Sequence, residues 1–232
     1  MYGDYQSNEL QNDYDSRKDE YLRKQAEFMG NKIGILFKLQ IAMLIVGLVI
    51  ILLSVLAGVI MFVTNGSTLI VYLIIVPAAL ITLGLGIYYG VTLISMKEYD
   101  ERYSTAGVLY IVYAILNSIH DFFSNSDGLG NFINLVGAVV AMISLMYFIN
   151  AITEDVAPFD GYISESWNLF KKTYIGMVIG LGVGLCLTLI RFFGLAMLVI
   201  GICTILGLVV GIWQIVLLYK TSESMKRYTY RF

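Results

Sequence analysis

The sequence has few charged residues, two cysteines and a single histidine. Lys, Arg, Asp and Glu make up 14% of its 232 residues, whereas soluble domains carry about 25%. The formal net charge of -2 argues against nucleic-acid binding, because that function needs a strong excess of positive charge. Cys186 and Cys203 both lie within apolar segments. We therefore expect no disulfide between them and interpret both as small apolar filler.

Residue patterns of common catalytic and metal sites are also missing. His120 stands beside Asp121, and this pair is too small a ligand set for zinc. The motifs H-E-x-x-H, G-x-S-x-G and G-x-x-x-x-G-K do not occur, so the protease, hydrolase and P-loop signatures are absent. We expect no enzymatic activity, no metal ion and no cofactor.

Apolar residues dominate the rest of the chain, at 58% of all residues with a mean hydropathy of +0.77. A helix of about 20 apolar residues spans the hydrocarbon core of a bilayer, whereas barrel strands would be shorter and half polar. The sequence therefore predicts an all-α fold, a polytopic transmembrane helical bundle with six spans. The spans are Leu39–Val63, Leu69–Ile94, Thr105–Phe123, Phe132–Ile152, Thr173–Ile190 and Phe192–Tyr219.

Positive charge falls on one side of this predicted bundle. Six spans place both termini and the second and fourth loops together, and this side holds fourteen of the fifteen Lys and Arg residues. Because Lys and Arg resist translocation, the pattern predicts that both termini are cytoplasmic. The compact loops are typical of a multi-pass protein of a bacterial inner membrane, although a eukaryotic membrane stays open.

Three regions follow from these boundaries. Residues 1–33 form a polar cytoplasmic tail, residues 34–220 the six-helix transmembrane domain, and residues 221–232 a basic cytoplasmic C-terminal tail. Within the first region, Tyr14 to Met29 place apolar and aromatic residues at helical spacing, which predicts an amphipathic helix on the membrane surface. The alternative is a partly ordered charged tail. The N-terminal sequence also lacks the pattern of a cleavable signal peptide.

Spans one and two share short patterns with spans five and six. Gly86–Tyr103 and Gly211–Tyr228 agree at seven of eighteen positions without gaps, and Leu-Phe-Lys occurs at 36–38 and again at 169–171. We interpret these matches as a possible internal repeat in one orientation, as transport folds often have. Chance agreement within a small apolar alphabet is the alternative.

Span three carries an aromatic and polar stripe, formed by Tyr103, Tyr110, Tyr113, Asn117, His120 and Asp121. Because amide and ionisable groups facing hydrocarbon are costly, we expect the stripe to face protein. Span four should supply the matching surface of small residues. The candidates for a ligand site or polar path are Tyr113, Asn117, His120, Asp121, Asn131, Asn134 and Arg191. The alternative is that the residues at the outer end are polar helix caps beside water, and the sequence favours this alternative.

Glycines recur at every fourth position on three spans, and this spacing lets helices pack closely. One of these faces could instead be a subunit interface. Gln40 and Gln214 are interpreted as interhelical hydrogen-bonding residues. The expected helix-packing residues are Gly86 and Gly90 on span two, Gly176, Gly180 and Gly184 on span five, and Gly207 and Gly211 on span six.

Two functions remain open. The sequence favours a non-enzymatic scaffold or accessory subunit that contacts partners through its cytoplasmic tails and loops, because transporters usually carry more buried charge. The alternative is a small transporter or oligomeric channel with a polar path along span three. The expected partners are the lipid bilayer and either a second copy or another membrane or cytoplasmic protein, but no nucleic acid.

Overall fold

A computed structural model describes the backbone of residues 3–64, 69–123 and 127–230, and the side chains of residues 17–58, 76–119, 128–188 and 190–230. Within these ranges the chain is helical and contains no strand, which confirms the all-α prediction. The helices are α1 (Gly3–Thr64), α2 (Leu69–Ile94), α3 (Glu101–Phe123), α4 (Asp127–Val156), α5 (Gly161–Leu189) and α6 (Phe193–Thr229).

Five of these helices, α1, α2, α4, α5 and α6, are long and apolar enough to cross a membrane. Many of their large apolar side chains face outward. Leu52 on α1 is 68% exposed and Leu208 on α6 is 69% exposed. A continuous apolar surface of this kind is unfavourable in water but suits the acyl chains of lipid. The protein is therefore a membrane protein.

Among the described residues, α3 does not reach the hydropathy of the other five helices. It carries polar residues in its C-terminal half, including Asn117 and Ser118. Its 23 residues give a length of about 34 Å at 1.5 Å per residue, which matches the thickness of the hydrocarbon core. It packs between α2 and α4. The predicted count of six spans therefore depends on α3.

The six helices form a closed ring. Each helix contacts its neighbours in the chain, and α1 also contacts α6. At this closure the Ser222 hydroxyl donates a hydrogen bond of 2.7 Å to the carbonyl oxygen of Gly30. A Cβ atom added at Gly34 would lie 2.9 Å from Oγ of Ser222, so the small residues of α1 allow the two helices to meet. The ring surrounds a central space that all six helices border.

The tightest packing lies at the end of the ring that holds the α2–α3 and α4–α5 turns. There the ring of Phe28 packs 5.4 Å from that of Tyr99, and the Trp167 indole donates a hydrogen bond of 2.9 Å to the Thr221 hydroxyl. The largest fully buried side chains of this end are Trp167, Tyr103, Phe148, Phe170, Met29, Ile33, Leu36, Leu93, Met96, Ile149, Ile152 and Leu218.

The predicted boundaries at residues 33/34 and 220/221 do not coincide with breaks in the structure. Helices α1 and α6 continue through them, and the segment predicted as a separate surface helix is the first part of α1. Ala26 and Met29 on this part are fully buried, so protein covers that face. A continuous helix keeps its backbone hydrogen bonds paired as it leaves the membrane, which explains the absence of a break.

The predicted internal repeat stays a prediction. A Cβ added at Gly86 would lie 2.7 Å from Cβ of Ala114, whereas one added at Gly211 would have no neighbour within 4 Å. Phe170 is fully buried, while its counterpart Phe37 is half-buried. The paired positions therefore have different surroundings.

Candidate functional site

A cavity of about 220 Å³ lies inside the helix ring. All six helices contribute to its wall, which makes it a property of the closed ring rather than of one hairpin. The residues lie in the parts of the predicted spans nearest the tightly packed end. The lining residues are Gln40, Tyr89, Leu93, Tyr110, Tyr113, Ala141, Ser144, Leu145, Phe148, Tyr174 and Gln214.

Two carboxamides lie on neighbouring helices in this wall. Gln214 on α6 is only 8% exposed, and its side chain makes no hydrogen bond with the described residues. The Oε1 atom of Gln40 on α1 is buried and likewise has no hydrogen-bonding partner among them. Buried polar groups in proteins almost always have a partner. These two side chains therefore offer donors and acceptors to whatever enters the cavity.

Tyrosines form a second part of the wall. The rings of Tyr89 and Tyr110 lie 4.5 Å apart, and that of Tyr113 lies 5.7 Å from Tyr110. The close approach of α2 and α3 brings these rings together: a Cβ added at Gly90 would lie 2.7 Å from the carbonyl oxygen of Gly107. The Tyr110 hydroxyl has a weak contact of 3.6 Å with a methionine sulfur of α1.

The wall of α4 is held in place by a hydrogen bond to α3. The Ser144 hydroxyl donates to the carbonyl oxygen of Ala106 at 2.7 Å, and Ser144 is only 2% exposed. Because its donor is already used, Ser144 positions the wall and keeps only acceptor capacity. Ala141, one turn away, presents a small side chain to the cavity.

An aromatic cluster closes the cavity toward the tightly packed end. Phe148 belongs to the lining and contacts Trp167 edge-on, with ring centroids 5.7 Å apart. Trp167 in turn contacts Phe170 at 5.6 Å, and Phe170 stacks on Tyr174 at 6.4 Å. We call Phe148, Trp167 and Phe170 the aromatic floor. All three are buried, so a solute could pass this end only if the floor rearranged.

An ion network joins the start of α3 to the end of α4 beyond this floor. Arg102 Nε donates to Asp100 at 2.7 Å and its Nη1 donates to Glu154 at 2.9 Å. These two hydrogen bonds raise the pKa of Arg102, so its guanidinium stays charged. Asp100 also accepts the backbone N–H of Arg102 at 2.8 Å, which caps the first turn of α3.

The carboxyl group of Asp100 responds to two opposing effects. Burial favours its neutral form and by itself would raise the pKa, but the hydrogen bonds and the charge of Arg102 outweigh burial. The pKa of Asp100 therefore lies below its ordinary value. Beside it, burial raises the pKa of Tyr103 well above the ordinary value, so this phenol stays neutral.

The structure brings only part of the predicted site together. Tyr113 lines the cavity, while Asn117, one turn further along α3, is half-buried and outside the lining. Asn131, Asn134 and Arg191 are exposed. Within the described part of the chain, the Arg191 side chain makes no ion pair or hydrogen bond.

The remaining two candidates, His120 and Asp121, belong to the last turn of α3. Their side chains lie outside the described residues. The predicted convergence of these two groups with Arg191 therefore stays a prediction, and so does the choice between a site and a helix cap at that end.

Arg191 has an unusual backbone. Its φ of 65° places it in the left-handed region, within the turn between α5 and α6. Its N–H donates to the carbonyl of Thr188 at 3.1 Å, and the N–H of Phe192 donates to that of Leu187 at 3.0 Å. These two bonds form a Schellman motif, in which glycine is the usual residue at the left-handed position.

The predicted packing glycines differ in their surroundings. Gly90 lies against α3, as does Gly86. On α5, a Cβ added at Gly180 would lie 2.8 Å from Sγ of Cys203, and one at Gly184 would lie 2.7 Å from Ile200. An added Cβ at Gly207 would make an ordinary contact of 3.6 Å with a methionine of α5, and those at Gly176 and Gly211 would meet nothing within 4 Å.

Sequence reasoning missed most of the cavity wall. Tyr89 and Tyr174 carry no signal beyond being tyrosines in apolar segments, and Phe148 reads as ordinary core. Gln40 and Gln214 are amides in apolar segments, and the sequence predicts that they bond to other helices. That both instead border one cavity is visible only once the ring is closed.

No group of three or more His, Cys, Asp or Glu side chains that could hold a metal ion occurs among the described residues. The cavity wall instead offers neutral hydrogen-bonding groups and aromatic faces, which suit a small organic molecule. No protein-family model, no curated protein and no solved structure matches this chain.

Proposed function

We propose that this protein binds a small molecule in the central cavity and carries it across the membrane. In this proposal α3 also spans the membrane, which makes six spans in all. The protein lies in a bacterial inner membrane with both termini in the cytoplasm. The asymmetry of positive charge in the sequence supports this orientation. The tightly packed end of the ring then faces the cytoplasm, and the cavity lies in the cytoplasmic half of the bilayer.

The observation that carries the proposal is a cavity that all six helices border, with two carboxamides in its wall. Within the described part of the chain, the buried Oε1 atom of one of them, Gln40, has no hydrogen-bonding partner. Polar groups within membrane spans are costly unless they are paired or serve a ligand or water. Leucine at Gln214 would fill the same space without placing an amide among apolar helices. Two amides in the wall of one cavity therefore favour a binding role.

Carrying a solute also requires that the cavity can open to each side. The aromatic floor and the ion network of Arg102 separate it from the cytoplasmic end. We propose that the floor is the inner gate, since its three rings contact one another edge-on and could part by changes in side-chain rotamer. The transport function thus extends the predicted polar path along span three, of whose described residues Tyr110 and Tyr113 line the cavity.

Water access to the cavity tests this proposal. Ala141 lines the cavity, whereas Val139 on the same helix faces outward and is 44% exposed. In a background in which Cys186 and Cys203 are replaced, Ala141→Cys in nanodiscs should react with a small, uncharged, water-soluble methanethiosulfonate. Val139→Cys should not, because a thiol that faces lipid stays protonated and does not react. Equal failure of both variants to react would contradict the proposal.

The scaffold function remains a second candidate, supported by a groove at the cytoplasmic end of α5 and α6. The groove encloses about 680 Å³. Tyr162 in its wall is 73% exposed and Tyr219 is 50% exposed. Lys220 and Arg227 line it together with Asp160 and Glu223, and Arg227 pairs with Glu223 at 3.4 Å. Aromatic residues and arginine are enriched in protein interfaces.

Photo-crosslinking in native membranes separates the two candidates. A crosslinking amino acid at Tyr162 should give a discrete protein adduct if the groove holds a partner subunit. The same amino acid at Leu198, which faces lipid and is 58% exposed, is the matched control. Adducts at neither position, together with modification of Ala141→Cys, would leave transport as the better-supported function.

A further inference from the structure

Among the described residues, the cavity wall contains no carboxylate, amine, guanidinium or imidazole group. Its polar members are glutamine, tyrosine and serine, and neither Asp, Glu, Lys, Arg nor His belongs to the lining. A charged solute in this position would lose its hydration without meeting an opposite charge. The nearest ion network is already satisfied internally, because Arg102 is bonded to both Asp100 and Glu154. The wall therefore favours a neutral ligand.

The two carboxamides define which hydrogen bonds that ligand must make. Each carboxamide presents a carbonyl acceptor and an NH₂ donor side by side. Gln214 is only 8% exposed, and the Oε1 atom of Gln40 is buried without a partner among the described residues. A group that offers a donor and an acceptor next to each other, as an amide does, would satisfy such a side chain in one contact.

The remaining wall and the volume limit the ligand's shape. Tyr89, Tyr110 and Tyr113 give three adjacent aromatic rings, with centroids 4.5 and 5.7 Å apart and planes inclined by 35° and 68°. Aromatic faces of this kind bind flat rings by offset stacking. The volume of about 220 Å³ lies below the range of about 300–1,000 Å³ that is usual for drug-sized ligands. A single ring with few substituents fits best.

We infer that the cavity selects a small, neutral, planar molecule with an amide-like edge, such as a cyclic amide. The edge binds the carboxamides of Gln214 and Gln40, and the ring lies against the tyrosine surface. This inference rests on the proposed function and identifies the class of solute. It distinguishes amides from organic cations, which tyrosine faces also attract, because the wall supplies no carboxylate to neutralise a cation.

Binding to the purified full-length protein tests the inference. The probes are three neutral amides (2-pyridone, uracil and nicotinamide), with choline as the cation and benzoate as the anion. Isothermal titration calorimetry should detect at least one of the three amides at millimolar concentration, and neither ion. Intrinsic fluorescence gives a second readout, because Phe170 contacts both Tyr174 and Trp213.

Variants at the carboxamides make the test specific. Gln214→Leu should lower the affinity for the amide by about tenfold, the effect expected from one lost hydrogen bond of ordinary strength. Gln25→Leu, which changes a glutamine of α1 outside the cavity, should leave the affinity unchanged. Gln214→Glu supplies the missing carboxylate and should raise the affinity for choline above that for the amide.

Each outcome bears on a different part of the reasoning. Binding of choline or benzoate but of no amide would overturn the inferred class, and so would the absence of any amide binding. Equal affinities of wild type and Gln214→Leu would overturn the assigned contact. If Ala141→Cys is still modified in those cases, the water-accessible cavity and the proposed function stand. If it is not, the proposed function itself fails.

Discussion

Replacing Gly90 with alanine should test the close contact that shapes the tyrosine wall. An added Cβ would lie 2.5 Å from Cγ1 of Ile111 and 2.7 Å from the carbonyl oxygen of Gly107. The second atom belongs to the backbone, so a side-chain rotation cannot relieve the clash, and α2 and α3 must move apart. Overpacking of this kind costs about 1–3 kcal/mol. We expect the upper half of that range here.

The matched control is Gly84→Ala on the same helix. Its added Cβ would meet nothing within 4 Å, so only the intrinsic helix preference of alanine changes, which favours the variant by up to about 1 kcal/mol. That gain also applies to Gly90→Ala and partly offsets its clash. The free energies of unfolding of the two variants should therefore differ by about 2–3 kcal/mol.

Unfolding of the purified variants in mixed micelles, at increasing mole fractions of sodium dodecyl sulfate, measures this difference. Separation of the helices should also weaken the contact between Tyr89 and Tyr110, so the amide affinity should fall for Gly90→Ala but not for Gly84→Ala. Equal stability of the two variants would refute the close packing of α2 and α3.

Two further predictions concern the ends of the ring. Arg191→Gly should stabilise the protein by about 1 kcal/mol, since glycine adopts the left-handed backbone without steric cost, and an unchanged melting temperature would contradict this reading of the turn. Acid should destabilise the end of the ring that holds Asp100, because the pKa of this carboxyl group is lower in the folded protein than in the unfolded chain. The resulting stabilisation is complete above the ordinary carboxyl pKa of about 3.9. It is lost as the pH falls toward the lowered pKa. Arg102→Gln should remove most of this acid dependence when unfolding is measured as a function of pH. At neutral pH it should lower the free energy of unfolding by about 1 kcal/mol or less, because the network is partly exposed. An unaltered pH profile would argue against the network.

The helices could be predicted well because the membrane imposes a local rule. Span two was predicted as Leu69–Ile94, which is the whole of α2, and span three lies within α3. Twenty or so apolar residues in a row are enough to identify such a helix. The continuation of α1 and α6 beyond residues 34 and 220 cannot be predicted in this way. A polar sequence can continue a helix when tertiary contacts cover one face, as they do at Met29.

The cavity depends on which helices are neighbours, and periodicity within one helix does not contain that information. The stripe of α3 indicated that Tyr110 and Tyr113 face protein. Nothing local indicated that Gln40 and Gln214, 174 positions apart in the chain, would border the same space. That follows from the contact between α1 and α6, which the sequence analysis did not predict.

The central claim is that the cavity is open to water and exchanges between the two sides of the membrane. Ala141→Cys, without the native cysteines, can be exposed to an impermeant, uncharged, hydrophilic methanethiosulfonate in sealed right-side-out and inverted vesicles. We expect modification in both orientations, slowed by a bound neutral amide, and none for Val139→Cys. Modification in only one orientation would contradict transport, and modification in neither would contradict the cavity as a binding site.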